Sequence, residues 1–213
     1  MEISRRLCYT ADAMDILALH AASQPDRPAH IEGDRSLTWA ELVAQRNRLA
    51  QSLVTLGLEP GGHAIVYAAN SIEHYLANAA ARAAGLIPAP MNHRLIATEV
   101  AYILDHSDAA AVFVSDQFLP VVEEIRPGAG KVRRWILMGR ERRPWAEHLG
   151  DLLAAGRPDP VELPEAAGFG ASIIYTAGTT GRPRGALRRS LGTLGDGTRF
   201  ADLSRARFGF GFG

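Results

Sequence analysis

Cysteine is almost missing from this chain, long apolar runs are missing altogether, and neither sign of charge is in excess. Among 213 residues only Cys8 carries a thiol. An internal disulfide framework and a cysteine-based zinc site are therefore excluded, and a reducing, cytoplasmic setting is the expectation. No uninterrupted apolar stretch approaches the ~20 residues that a membrane-crossing helix needs. Arg5-Arg6 is followed by Asp12 and Asp15 before a signal-peptide core can form. Lys plus Arg and Asp plus Glu number 23 each, with no basic stripe, so nucleic acid is not an expected partner. His20, His30, His63, His74, His93, His106 and His148 are scattered, with no pair at metal-ligand spacing beside a carboxylate motif. Surface or capping roles are expected for them, and no metal ligand is assigned. A Gly-x-Ser-x-Gly elbow is also lacking, which removes the usual setting of a hydrolase nucleophile. Gly128-Ala129-Gly130-Lys131 is no Walker loop, because Ile125 stands where the first glycine is required and Val132 where Ser or Thr is.

What is present is ordinary globular material, 47% hydrophobic and 22% charged. Ala11 to Ala22 predicts a short docking helix, and Gly33-Asp34-Arg35 predicts the turn of a small hairpin. Thr38 and Glu41 form a Thr-x-x-Glu capping box ahead of Leu42, Leu49, Leu53 and Leu56, with Gly57 closing the helix. A strand is then expected over 63–68, with a helix from Asn70-Ser71 to Gly85. The alternation continues with strands over 86–90, 110–114 and 132–138 and helices over 98–105, 117–125 and 144–155. Such alternation predicts an α/β fold, a largely parallel sheet covered by helices on both faces. Gly156 to Gly168, rich in Pro and Glu, is expected to be a linker.

After the apolar run Ala171 to Ile174 comes Tyr175-Thr176-Ala177-Gly178-Thr179-Thr180-Gly181-Arg182-Pro183-Arg184-Gly185, and then Ala186-Leu187. Strand, glycine- and hydroxyl-rich loop and strand are the ingredients of a phosphate cradle. Glycines permit close backbone approach, so that successive amides can converge on an anion. Thr176, Thr179 and Thr180 offer hydroxyl donors, and Arg182 and Arg184 offer positive charge. The expected ligand is a nucleoside triphosphate; the competing interpretation is a tight surface turn.

Tyr175 to Gly185 resembles the signature phosphate loop of the adenylate-forming (AMP-binding) superfamily, which includes the acyl-CoA synthetases. That family has Tyr-Thr-Ser-Gly-Thr-Thr-Gly-x-Pro-Lys-Gly, so Ala177 replaces Ser and Arg184 replaces Lys here. The resemblance extends upstream through Leu37-Thr38-Trp39-Ala40-Glu41-Leu42, Leu56-Gly57-Leu58 to Gly61-Gly62, Ala69-Asn70-Ser71 and Ala84 to Asn92. It implies that residues 1–190 are part of the large N-terminal adenylation domain. Thr176, Gly178, Thr179, Thr180, Gly181 and Arg184 would then bind the ATP phosphates. ATP, Mg²⁺ and CoA are implied as cofactor or co-substrates, with a small-molecule carboxylate as the partner. The family's Tyr-Gly-x-Thr-Glu magnesium segment, ribose-binding aspartate, hinge and catalytic lysine have no counterpart in this sequence. Residues 191–213, glycine-rich and ending in Phe208-Gly209-Phe210-Gly211-Phe212-Gly213, are expected to be a low-complexity, disordered tail. Two expectations follow: the N-terminal part of an acid–thiol ligase, inactive alone, or a truncated, non-catalytic nucleotide-binding module.

Overall fold

The computed structural model describes residues 8–9, 13–163, 172–176 and 184–188. At its centre lie five parallel strands, β5 (His63–Tyr67), β6 (Ile87–Pro90), β7 (Ala109–Val114), β8 (Arg134–Leu137) and β9 (Glu147–His148), in the order β6-β5-β7-β8-β9. Earlier in the chain come the two-residue strands β1 (Cys8–Tyr9) and β2 (Ala13–Met14), and the hairpin β3 (Pro28–Glu32) and β4 (Arg35–Thr38). Pro88 and Pro90 fall in β6, an outer strand of this sheet, where a missing N–H leaves the neighbouring ladder intact.

Side chains alternate between the two faces of each inner strand, and the core divides accordingly. Ala64 and Val66 of β5 and Ala111 and Phe113 of β7 join one cluster. There they meet Leu42, Leu49 and Leu53 of α2 (Trp39–Thr55), Leu76 and Ala80 of α3 (Ile72–Ala83), and Leu149 and Leu152 of α6 (Leu149–Ala155). Ile65, Tyr67, Val112 and Val114 face the other way, onto Val100, Ile103 and Leu104 of α4 (Ala97–His106) and Leu119 and Val122 of α5 (Leu119–Ile125). All six residues of β7 are buried, as a strand covered on both sides must be. The α/β arrangement expected from the sequence is therefore the one observed.

Local signals explain the element ends. The Thr38 hydroxyl accepts from the Glu41 amide at 3.3 Å, while the Glu41 carboxylate accepts from the Thr38 amide at 2.8 Å, so both halves of the capping box form. The Thr38 amide, helped by the Thr38 hydroxyl, holds the Glu41 carboxyl below the usual range. Gly57 and Gly85 take φ of +77° just past α2 and α3. In each case the next amide reaches back to the last turn, Leu58 to the Leu53 carbonyl and Leu86 to the Ala81 carbonyl.

Four expectations need correction. The first helix, α1 (Ile16–Ser23), begins at its Asp15 cap rather than at Ala11, because Ala13–Met14 pairs with Cys8–Tyr9. Arg35 is not in the first hairpin's turn; it pairs with Glu32, leaving Gly33 and Asp34 as the turn. The stretch expected as one helix over 144–155 is split: Glu147–His148 extends the sheet beside β8, and the His148 ring then caps α6 by accepting from the Gly150 amide at 3.1 Å. Helix α5 is also shorter than 117–125, since Asp116–Phe118 is a 3-10 turn.

Of the stretch expected as a linker, the described part is clasped onto α2. Arg48 donates to the Gly156 carbonyl at 2.8 Å and Asn47 to the Pro158 carbonyl at 2.8 Å, while Gln51 donates to the Asp159 and Pro160 carbonyls at 3.1 Å each. Gly156 lies so close that a Cβ there would sit 1.9 Å from the Arg48 carbonyl oxygen. Midway along α2, next to the clasp, Arg46 and Asp15 form an ion pair at 2.7 Å with 4% and 7% of their side chains exposed, which ties α1 down.

Candidate functional site: the loop-bearing hairpin

The residues singled out around the phosphate-loop motif sit on a second hairpin. Strand β10 (Ser172–Thr176) pairs antiparallel with β11 (Arg184–Arg188), in the register Ser172↔Arg188 to Thr176↔Arg184. Thr176 and Arg184 thus lie directly across from each other, at the Cα separation of about 4.5–5.5 Å typical of such pairs. The loop between them begins and ends at one place. Gly178, Thr179, Thr180 and Gly181, like Ala177, Arg182 and Pro183, lie outside the described residues, as does the expected tail.

Strand alternation decides how the hairpin sits. Ile173, 7% exposed, and the half-buried Tyr175 turn toward the α4 side of the sheet, whereas Ile174 turns outward at 46%. The hairpin packs beside β6 but forms a two-stranded sheet of its own. Gly185, the last residue of the motif, is opposite Tyr175, and a Cβ there would come within 3.0 Å of the Tyr175 ring. This glycine makes room for a ring within the hairpin.

Tyr175 reaches the C-terminal end of α4. Its hydroxyl is 3.2 Å from His106 Nδ1, and the two rings meet edge to face at 6.0 Å. His106 in turn stacks on Tyr102 at 5.4 Å. Burial pushes the Tyr175 hydroxyl up from its ordinary range, with a hydrogen bond to Ser107 opposing, so it is protonated at neutral pH. Sequence reasoning placed Tyr175 in the motif without a role of its own and put His106 among the surface or capping histidines. The available signal was Tyr175 at the buried parity of its strand, two residues from Ile173.

A cavity of about 640 Å³ lies elsewhere, between α1, α3 and the first hairpin, and among the described residues of the Tyr175–Gly185 stretch none lines it. His74 in its wall is held below its ordinary range by burial, with the Ala69 carbonyl opposing. Among the described residues no group of three or more His, Cys, Asp or Glu could hold a metal ion, and no helix is long and apolar enough to cross a membrane.

A parallel sheet with helices on both faces and, after it, a hairpin carrying the Tyr-Thr-Ala-Gly-Thr-Thr-Gly loop define an adenylate-forming architecture. The chain belongs to the AMP-binding enzyme family, whose pattern matches residues 17–200. It is 32% identical over 169 residues to the 3-methylmercaptopropionyl-CoA ligase of Ruegeria lacuscaerulensis, covering 74% of this chain and 31% of that one. To the medium-chain-fatty-acid–CoA ligase of Ectopseudomonas oleovorans it is 29% identical over 155 residues, covering 70% and 28%. Among solved structures, the inhibitor-bound N-terminal domain of FACL13 from Mycobacterium tuberculosis superposes with a TM-score of 0.70 at 30% identity, covering 81% of this chain and 43% of that one. The chain spans about a third of the length of these curated relatives and corresponds to their N-terminal part.

Proposed function

We propose that residues 1–190 supply the triphosphate-binding part of an ATP-dependent acid–thiol ligase, with residues 191–213 as a separate tail. In the overall reaction a carboxylate oxygen attacks the α-phosphorus of ATP, the bond to pyrophosphate breaks, and acyl-AMP forms. The sulfur of CoA then takes the acyl carbon and AMP leaves. Relatives named for medium-chain fatty acids and 3-methylmercaptopropionate favour an aliphatic acid as the carboxylate. The carrying observation is the pairing of Thr176 with Arg184, which closes a loop of glycines and threonines at one point.

In this proposal the hydroxyls of Thr176, Thr179 and Thr180 and the amides of Gly178 and Gly181 donate to the triphosphate, with Arg184 neutralising charge where the family has Lys. Positioning and charge neutralisation are what a protein contributes to such a displacement. Mg²⁺ belongs to the family's reaction, but the described residues contain no cluster that fits it, so no residue of this chain is assigned to the ion.

Two measurements test the assignment. The chain should bind MgATP, and Thr179→Ala with Thr180→Ala should remove two donors to a charged ligand, at ~1.5–3 kcal/mol each, lowering affinity by roughly two to four decades. Arg184→Lys should stay within about tenfold, whereas Arg184→Ala should bind more weakly than either. Unchanged affinity in the double threonine variant would remove the loop from nucleotide binding.

The second reading is a nucleotide-binding module without turnover, which would use the same loop to hold the triphosphate. Carboxylate-dependent ATP–pyrophosphate exchange separates the two. Binding without exchange is the expected outcome for this chain, and exchange above a buffer control would show that it activates acids unaided.

A further inference from the structure

We propose that His106 is a positioning residue for the phosphate loop, acting through the Tyr175 hydroxyl; this rests on the assignment of the loop as a triphosphate cradle. A two-stranded hairpin is marginally stable on its own. The β10–β11 pair shares no strand ladder with the five-stranded sheet, so side chains must set its place. Ile173 supplies apolar burial, which is non-directional and leaves the hairpin free to slide or tilt. A hydrogen bond is directional, and at the C-terminal end of α4 the Tyr175 hydroxyl lies 3.2 Å from His106 Nδ1, with Ser107 beside it as a second partner.

The imidazole itself is held. It lies between Tyr102, stacked at 5.4 Å, and Tyr175, edge-on at 6.0 Å and 80°. Its backbone is the last residue of α4, whose Val100, Ile103 and Leu104 are buried in the core. Tyr175 is one peptide, 3.8 Å between Cα atoms, from Thr176 at one end of the loop. Across the ladder it faces Gly185, which adjoins Arg184 at the other end. A tether at Tyr175 therefore aligns both ends of the loop at once, and the missing Cβ at Gly185 lets the Tyr175 ring lie flat enough to reach α4.

The experiment uses the whole chain and four variants, Tyr175→Phe, His106→Ala, His106→Asn and the Tyr175→Phe/His106→Ala double. Two quantities are measured: amide exchange of residues 172–188 by mass spectrometry without ligand, and MgATP affinity. Tyr175→Phe keeps the ring and removes only the hydroxyl. It and His106→Ala should each speed exchange across 172–188 by about two- to tenfold, the worth of one hydrogen bond, and weaken MgATP by a similar factor. The double variant should be no worse than the more affected single variant. His106→Asn, whose amide can partner the hydroxyl, should recover most of both. Unchanged exchange in Tyr175→Phe and His106→Ala, additive losses in the double, or no recovery with Asn would overturn the proposal. So would normal MgATP affinity in both while the Thr179→Ala/Thr180→Ala chain loses it. Absence of threonine-dependent MgATP binding in the unaltered chain would instead overturn the loop assignment, with the exchange differences still in place.

Discussion

The five-stranded sheet and the loop-bearing hairpin sit against each other but are stabilised in different ways. Inner strands of the sheet are paired on both edges and covered on both faces; Val112, Phe113 and Val114 have no exposed surface. The hairpin is paired only within itself, offers Ile173 and Tyr175 to the sheet side, and leaves Ile174 in solvent. The first region is held by many redundant contacts and the second by a few specific ones. Loops that engage ligands come from the less stable end of a structure, and here the proposed site is carried by an element whose place depends on one apolar side chain and one tyrosine.

The largest test of that contrast is Phe113→Ala, in the middle of the buried strand. It should cost about 3–5 kcal/mol and lower the urea midpoint of the whole chain, with the hairpin's exchange protection lost at the same denaturant concentration. Hairpin protection that outlasts the sheet would show that the hairpin stands alone and would break the comparison. A smaller, local effect is expected from Gly185→Ala. The new methyl group would press on the Tyr175 ring and cost about 1–3 kcal/mol of hairpin docking, raising exchange over 172–188 without moving the urea midpoint of the sheet. Equal exchange in this variant would mean that the ring can give way.

The smallest effect concerns the α2 cap, a sheet-side feature with no link to the hairpin. Glu41 has its folded pKa depressed, chiefly by the Thr38 amide. Its contribution is therefore fully present above the unfolded glutamate range, near 4.3, and is lost as pH falls through the lower folded value. Glu41→Gln can still accept from Thr38 but cannot titrate. The acid limb of its stability–pH curve should be shallower than that of the parent, while exchange at 172–188 is identical in the two. A parallel pair of acid limbs would remove Glu41 from the acid response.

How much was legible follows the same division. Periodic apolar spacing located the sheet strands and the helices between them, because burial on two faces leaves a continuous pattern in β5 and β7 and a striped one in α2. Capping chemistry located the starts of α2 and α3. Signals failed where a single residue serves the tertiary structure. Pro144 to His148 has the composition of a helix start, yet Glu147–His148 is drawn into the sheet by the free edge of β8. His148 was placed among surface or capping histidines, and its ring does cap α6. The motif around Thr176 was conspicuous for its glycines and hydroxyls, and its strand–loop–strand plan is the one observed at both ends. What the pattern could not convey is that Tyr175 reaches a helix end 69 residues earlier, since no local period encodes such a contact.

The clasp between α2 and residues 156–160 also has a consequence in time. Its hydrogen bonds join residues 108 to 111 positions apart, closing a loop that contains the whole five-stranded sheet. Contacts of such long range come late in folding, because the entropy of ordering the intervening chain must be met first. The sheet should therefore collapse before the clasp shuts, with the hairpin delivered last. During refolding, pulse-labelled amides of Ile65 and Phe113 should become protected ahead of those at 172–176, and the opposite order would show the hairpin to be a nucleus. A growing chain would then complete its scaffold before the segment proposed to hold the triphosphate has a place to dock.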